Sequence, residues 1–169
     1  MKLLWYVLIF VFFVPLQSVL MTSISLNGIK PDLGLILIFF TGLIYGEADG
    51  ILVGLIIGLL TDLFSGGALG PNVVSKTLLG WSGGMVCKTL LNVNAFFTLG
   101  SVFCMSLLNG LISFFMVFLI TGGWGFLASV RWVILPEALY NALLATVLFL
   151  LASQPIEAAR FRSQGYSLP

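Results

Sequence analysis

Three ionisable residues lie inside or next to long apolar stretches of the chain: Asp62, Lys76 and Glu137. A charge at the centre of a bilayer costs about 2.5–3.5 kcal/mol, so such residues usually face the interior of a helical bundle and are paired. There they could relay protons or ions, or line a polar ligand pocket. Alternatively, Asp62 and Glu137 lie near helix ends, where water or helix dipoles satisfy them. The sequence favours this second interpretation, because each lies within about two turns of a predicted helix boundary.

Lys76 and Asp62 form the most specific pair that the sequence predicts. A short glycine-rich loop, residues 65–71, separates their helices. Helices joined by a short loop are antiparallel neighbours. We therefore expect Lys76 to pair with Asp62.

Four other polar positions are candidates for contacts in the core or with a partner or ligand. Glu137 and Asn141 are four residues apart and share one helix face, which could clamp a partner helix or bond within the bundle; the sequence leaves both open. We expect Asn109 to be an internal hydrogen-bonding residue. Asp32 follows Pro31 at a helix start, where a carboxylate is favourable.

The residue sets that carry enzyme chemistry are missing. The chain has no histidine, which removes the commonest general base and the commonest metal ligand. The run Ser65–Pro71, SGGALGP, lacks the Lys-Ser/Thr of a phosphate-binding loop, and no serine lies in a nucleophile-elbow pattern. We expect no catalysis, no cofactor and no metal site.

The composition is that of a membrane protein. The 169 residues are 60% hydrophobic and 8% charged, whereas a soluble domain is about 45–50% apolar and about 25% charged. The net charge of +1 is too small to suggest nucleic acid as a partner. The chain is therefore expected to be an all-α polytopic membrane protein surrounded by lipid.

Six membrane spans are predicted within a single bundle, since a span needs roughly 20 mainly apolar residues. The spans lie at about 3–21, 31–45, 48–64, 72–88, 95–120 and 131–151, and 152–169 form a tail. With six spans both termini lie on one side. That side would hold Lys2, Lys88, Arg160 and Arg162, against Lys30 and Arg131 on the other. The positive-inside rule then places both termini and the tail in the cytoplasm.

The third predicted span carries a stripe of glycines. Gly50, Gly54 and Gly58 recur every four residues, and Asp62 follows at the next step. Residues four apart share a helix face, and small residues at this spacing let membrane helices approach closely. We expect the stripe to be architectural rather than partner-binding, because the second and fourth spans are its nearest neighbours.

These motifs together resemble the MreD family of bacterial rod shape-determining membrane proteins. The resemblance rests on Pro31-Asp32-Leu33, on the glycine stripe with the run GLLTDLFSGGALG, and on Pro136-Glu137 with Asn141. It covers nearly the whole chain, and the central run is its most specific part.

The resemblance implies a non-enzymatic inner-membrane scaffold of the cell-elongation complex. Family members bind the single-span protein MreC and work with MreB, RodA and a penicillin-binding transpeptidase that build peptidoglycan. The implied fold resembles the substrate-binding subunits of energy-coupling factor transporters, with six helices around a cavity. That likeness leaves an alternative function, a membrane subunit that binds a small molecule or lipid intermediate. A polar-lined cavity that solvent can reach would favour the alternative function. A cavity closed by bulky Phe and Leu would favour the scaffold.

Overall fold

The computed structural model describes residues 25, 28–65, 69–89, 93–122 and 125–163, and it is helical throughout, with no strand among these residues. The first predicted span, 3–21, lies outside the described residues. The helices, in chain order, are α1 (Leu33–Tyr45), α2 (Glu47–Ser65), α3 (Pro71–Thr89), α4 (Ala95–Thr121), α5 (Phe126–Ser129), a π-helical turn (Val130–Ile134) and α6 (Leu135–Ser163).

Helix α1 begins and ends at residues that suit those positions. The Asp32 side chain accepts a hydrogen bond from the backbone N–H of Leu35 (3.1 Å), which is the standard N-cap contact. At the other end Gly46 has φ 93°, a conformation that favours glycine. This single residue makes the turn into α2, which begins at Glu47, one residue before the predicted span.

The glycine stripe of α2 faces α3 at backbone distance. A Cβ added at Gly58 would lie 2.5 Å from the Asn72 carbonyl oxygen, and one at Gly50 would lie 2.5 Å from the Gly80 carbonyl oxygen. At Gly54 a Cβ would overlap the Lys76 carbonyl oxygen. Partners spaced by four residues on both helices show that α2 and α3 are antiparallel and packed backbone to backbone.

Helix α4 packs antiparallel against the run formed by α5, the π turn and α6. Gly110 of α4 leaves room for Ile134, whose Cγ2 would lie 2.7 Å from a Cβ at that position. The π turn ends two residues before Pro136, which lacks an N–H and disrupts a regular α-helix. A local π turn is one way in which a membrane helix accommodates proline.

The last helix is longer than the predicted span 131–151. It continues to Ser163 and carries one non-helical residue, Ala152 (φ −117°, ψ 16°). The first part of the predicted tail, 152–163, is therefore largely helical. Ala152 marks the break between the core-packed part of α6 and this extension.

Two helical segments of the described chain are long and apolar enough to cross a bilayer: Ala95–Leu119 and Phe126–Gln154. In the most apolar 18-residue stretch of each segment, only 22% and 33% of the stretch is buried. Most of the apolar surface of these helices therefore faces outward. The shorter apolar helix is α1. The main core joins α1, α3, α4 and α6 through nine buried residues: Leu35, Ile36, Phe39, Leu43, Leu79, Val102, Met105, Ala142 and Ala145.

Candidate functional site

A buried ion pair joins α3 to the start of α1. Lys76 Nζ donates a hydrogen bond to Asp32 Oδ2 over 2.6 Å, and the lysine side chain is only 1% exposed. The other carboxylate oxygen, Oδ1, caps α1 at Leu35. The prediction that Lys76 pairs with Asp62 was therefore wrong. Lys76 lies more than one turn inside α3, where it faces α1 and not the end of α2.

Asn141 connects three helices next to this pair. Its Oδ1 accepts a hydrogen bond from the backbone N–H of Asp32 (2.7 Å), and its Nδ2 donates to Ser106 Oγ (2.8 Å). Asn141 is 0% and Ser106 3% exposed. Of the two roles that the sequence left open for Asn141, the structure shows hydrogen bonding inside the bundle. The interaction ties α6 to α1 and α4.

Glu137 lies one helical turn before Asn141 and is partly buried. It interacts electrostatically with both Asp32 and Lys76. Asn109 lies one helical turn after Ser106 on α4 and is 6% exposed. Its amide oxygen Oδ1 is buried with no hydrogen-bond partner. Asn109 is thus internal, as the sequence indicated, but the expected hydrogen bond to this oxygen is not formed.

These residues form what we call the core polar cluster: Asp32, Lys76, Ser106, Asn109, Glu137 and Asn141. Ser106 and Asn109 lie near the middle of the apolar segment Ala95–Leu119, and Glu137 and Asn141 near the middle of Phe126–Gln154. At 1.5 Å per residue, these four residues are more than about 14 Å from either end of their segments. They therefore lie deep within the two most apolar helices, and Asp32 and Lys76 reach this level from α1 and α3.

Asp62 lies outside the core polar cluster, at the junction of α2 and α3, where its carboxylate accepts hydrogen bonds. Oδ2 accepts hydrogen bonds from the backbone N–H groups of Gly70 (2.8 Å) and Val73 (3.1 Å). Oδ1 accepts from Asn72 N (3.1 Å) and Nδ2 (2.8 Å). The first N–H groups of a helix have no partner within it, so Asp62 satisfies the open end of α3. This geometry agrees with the helix-end interpretation of Asp62.

Sequence reasoning missed the roles of Asp32 and Ser106 in the cluster. Asp32 was a candidate for a core or partner contact, but its pairing with Lys76 was not predicted, and Ser106 was not singled out. The contacts that place them join residues 44 and 35 positions apart, and no local spacing signals such a contact.

Among the described residues no group of three His, Cys, Asp or Glu side chains is placed to hold a metal ion. The contacts of the cluster join α1, α3, α4 and α6 through charge and hydrogen bonds.

An apolar cavity of about 410 Å³ lies between α1, α3 and α4. Its lining is largely aromatic and aliphatic, with two serines as the hydroxyl-bearing members: Phe39, Ser82, Gly83, Phe96, Phe97, Gly100, Ser101, Cys104, Met105 and Leu108. None of the core polar cluster lines it. This cavity is not the polar-lined space that would favour a binder of polar small molecules.

Comparison with known proteins gives one family. The family model for MreD, whose description is rod shape-determining protein, matches residues 1–154 of the chain. No curated protein and no solved structure gives a significant match.

Proposed function

The chain belongs to the MreD family of rod shape-determining membrane proteins, and from this premise we propose that it is a non-enzymatic scaffold of the bacterial cell-elongation complex. In this role it binds the single-span protein MreC in the cytoplasmic membrane. Through MreC it acts with MreB, RodA and a penicillin-binding transpeptidase, and so supports peptidoglycan synthesis.

The observation that carries the proposal is where the polar and apolar groups lie. Asp32, Lys76 and Asn141 form hydrogen bonds with other residues inside the bundle. The outward faces of α4 and α6 are apolar instead, with Phe115 56%, Leu143 50% and Leu150 60% exposed. In a membrane, such faces contact lipid or the helices of other proteins. A protein that acts by holding neighbours needs this kind of surface.

The proposed architecture is a bundle of six spans with both termini in the cytoplasm, arranged like a substrate-binding subunit of an energy-coupling factor transporter. The described helices supply five of the six predicted spans as helices. Supporting features are the tight α1–α2–α3 packing and the long α4 and α6. On this view α2 and α3 are short spans held between longer neighbours, which a bundle tolerates by thinning the bilayer locally.

A second candidate function is binding of a lipid intermediate, and the apolar cavity between α1, α3 and α4 is what favours it. About 410 Å³ is within the range of ligand pockets in proteins. Its apolar lining suits a hydrocarbon chain and not a polar head group. We rank it below the scaffold, because the polar groups that would orient a head group lie elsewhere in the bundle.

Co-purification tests the scaffold directly. The chain and MreC from the same bacterium are produced together and extracted in a mild detergent, and an affinity tag on the chain is used for capture. We expect MreC to be retained in a stoichiometric complex, while an unrelated single-span protein produced as the control is washed away. A chain that is folded yet retains no more MreC than the control would overturn the scaffold.

A further inference from the structure

The core polar cluster holds two carboxylates, Asp32 and Glu137, against one lysine. Lys76 is its one cation among the described residues, and it donates its 2.6 Å hydrogen bond to Asp32. Glu137 is the second carboxylate, and the described part of the chain gives it no hydrogen-bond donor. Asn109 Oδ1 is a further buried acceptor without a partner. Buried acceptors in proteins are nearly always satisfied, so the shortage points to a donor that comes from outside the cluster.

Glu137 and Asn109 lie at the same level of the antiparallel pair formed by α4 and α6. Ser106 contacts Asn141, and Gly110 leaves room for Ile134. Asn109 lies between Ser106 and Gly110 on α4, and Glu137 lies between Ile134 and Asn141 on α6. In an antiparallel pair these two stretches lie opposite each other. The two unsatisfied acceptors are therefore at one level, near the middle of the apolar segments.

Glu137 lies at the edge of the packed face of α6, where a neighbouring helix can reach it. Ile134, Ala138 and Asn141 are buried, whereas Glu137 is only partly buried. It belongs to a stripe at coiled-coil spacing, in which Glu137, Leu144 and Leu151 are seven residues apart. Val147 lies in the same stripe and is 51% exposed, and Leu151 is 80% exposed. A seam of this spacing is the surface along which two helices pack.

We propose that this stripe of α6 is the docking face for a transmembrane helix of a partner protein, and that this helix carries a lysine or arginine at mid-span which pairs with Glu137. A cation supplies the donor that Glu137 lacks and offsets the repulsion between Glu137 and Asp32. The inference rests on the proposed scaffold function and names the chemistry of its partner. The apolar members of the stripe supply packing, and the charge sets the register along the seam.

A purely apolar helix fits this face less well. It would cover the apolar residues of the stripe but leave the carboxylate and Asn109 Oδ1 without a donor, in a setting where no water replaces it. Ionisable residues in spans usually pair with one another for this reason. Charge complementarity therefore favours a helix with a basic residue over a lipid chain or an all-apolar helix.

The test uses the full chain in phosphatidylcholine vesicles and synthetic single-span helices of leucine and alanine. One helix carries a central lysine, and a matched helix carries leucine there. Binding is followed by energy transfer between dyes on the chain and on the helix. We expect the lysine helix to bind at least tenfold more tightly than the leucine helix. In the Glu137→Gln variant this preference should disappear, whereas Glu47→Gln, a carboxylate change at the start of α2, should keep it.

Equal binding of the two helices to the native chain would overturn the proposal, and that comparison needs no variant to fold. Retention of the preference in Glu137→Gln would overturn it as well, because the lysine would then pair elsewhere. The outcome is separable from the proposed function. A chain that retains MreC but shows no preference for the lysine helix loses this docking site and keeps its scaffold role. A chain that shows the preference but does not retain MreC loses the scaffold role alone.

Discussion

Lys76 and Asp32 are joined by a 2.6 Å ion pair that is almost completely buried, although 44 residues separate them in the chain. The pair connects α3 to the first turn of α1. Asp32 also caps α1 and, through its backbone N–H, bonds to Asn141. Three helices therefore meet at one aspartate, and the stability of the bundle should depend strongly on it.

Removing one member of the pair is expected to destabilise the bundle by about 3–5 kcal/mol, because an unpaired buried charge remains. Lys76→Met leaves the Asp32 carboxylate without its cation. The double variant Asp32→Asn with Lys76→Met removes both charges, and it should recover most of the loss, since asparagine still caps a helix. Unfolding in detergent, followed by circular dichroism, measures both. A double variant no more stable than Lys76→Met would contradict this account of the pair.

Asp62→Ala should destabilise the α2–α3 junction by about 2–3 kcal/mol. The change leaves the N–H groups of Gly70, Asn72 and Val73 without their acceptor, and a hydrogen bond to a charged group contributes about 1.5–3 kcal/mol. Asp49→Asn, a change at the opposite end of α2, serves as the control and should cost clearly less. Hydrogen exchange should show faster exchange at the first turn of α3 in Asp62→Ala alone. Unchanged exchange there would mean that Asp62 does not cap α3.

Gly54→Ala is expected to cost about 1–3 kcal/mol or more, because the new methyl group overlaps the backbone of Lys76 and pushes α2 from α3. The matched control is Gly100→Ala on α4, where a Cβ meets nothing within 4 Å. That change should stabilise the chain by about 0.4–1 kcal/mol through lower chain entropy in the unfolded state. Thermal unfolding in detergent compares the two. If Gly54→Ala stays fully stable but loses MreC, the glycine stripe binds a partner instead.

The proposed topology predicts a cytoplasmic C-terminus. A fluorescent protein that matures only in the cytoplasm, fused after Pro169, should fluoresce, and alkaline phosphatase fused at the same residue should be inactive. A fusion in the loop between α4 and α5, at residues 122–125, should give the reverse pattern. The reverse result at Pro169 would rule out six spans with a cytoplasmic N-terminus.

Much of the fold could be predicted because its signals are local. Pro31-Asp32 starts α1 and Pro71 starts α3, and the observed bounds of α1 to α4 lie within two residues of the predicted ones. Spacing by four residues identified the packed face of α2. The continuation of α6 past residue 151 was not predicted, since the helix there loses its apolar character while keeping its backbone hydrogen bonds.

The core polar cluster was only partly predictable, because its pairings depend on which helix faces which. Asp62 and Lys76 lie on consecutive helices joined by a short loop, and for this reason the sequence predicted that they pair. The loop, however, brings the first N–H groups of α3 to Asp62, and these occupy its oxygens. Lys76 then turns toward α1. Polar contacts between residues that are far apart in the chain produce no periodic pattern in the sequence.

The burial of Lys76 also bears on how the protein is made. A helix that carries a lysine and several small polar residues is a poor candidate for entering a bilayer by itself. Asp32 precedes Lys76 in the chain, so it leaves the ribosome first and is already available when α3 emerges. We therefore expect α3 to enter the bilayer together with α1, whose Asp32 pairs with the lysine.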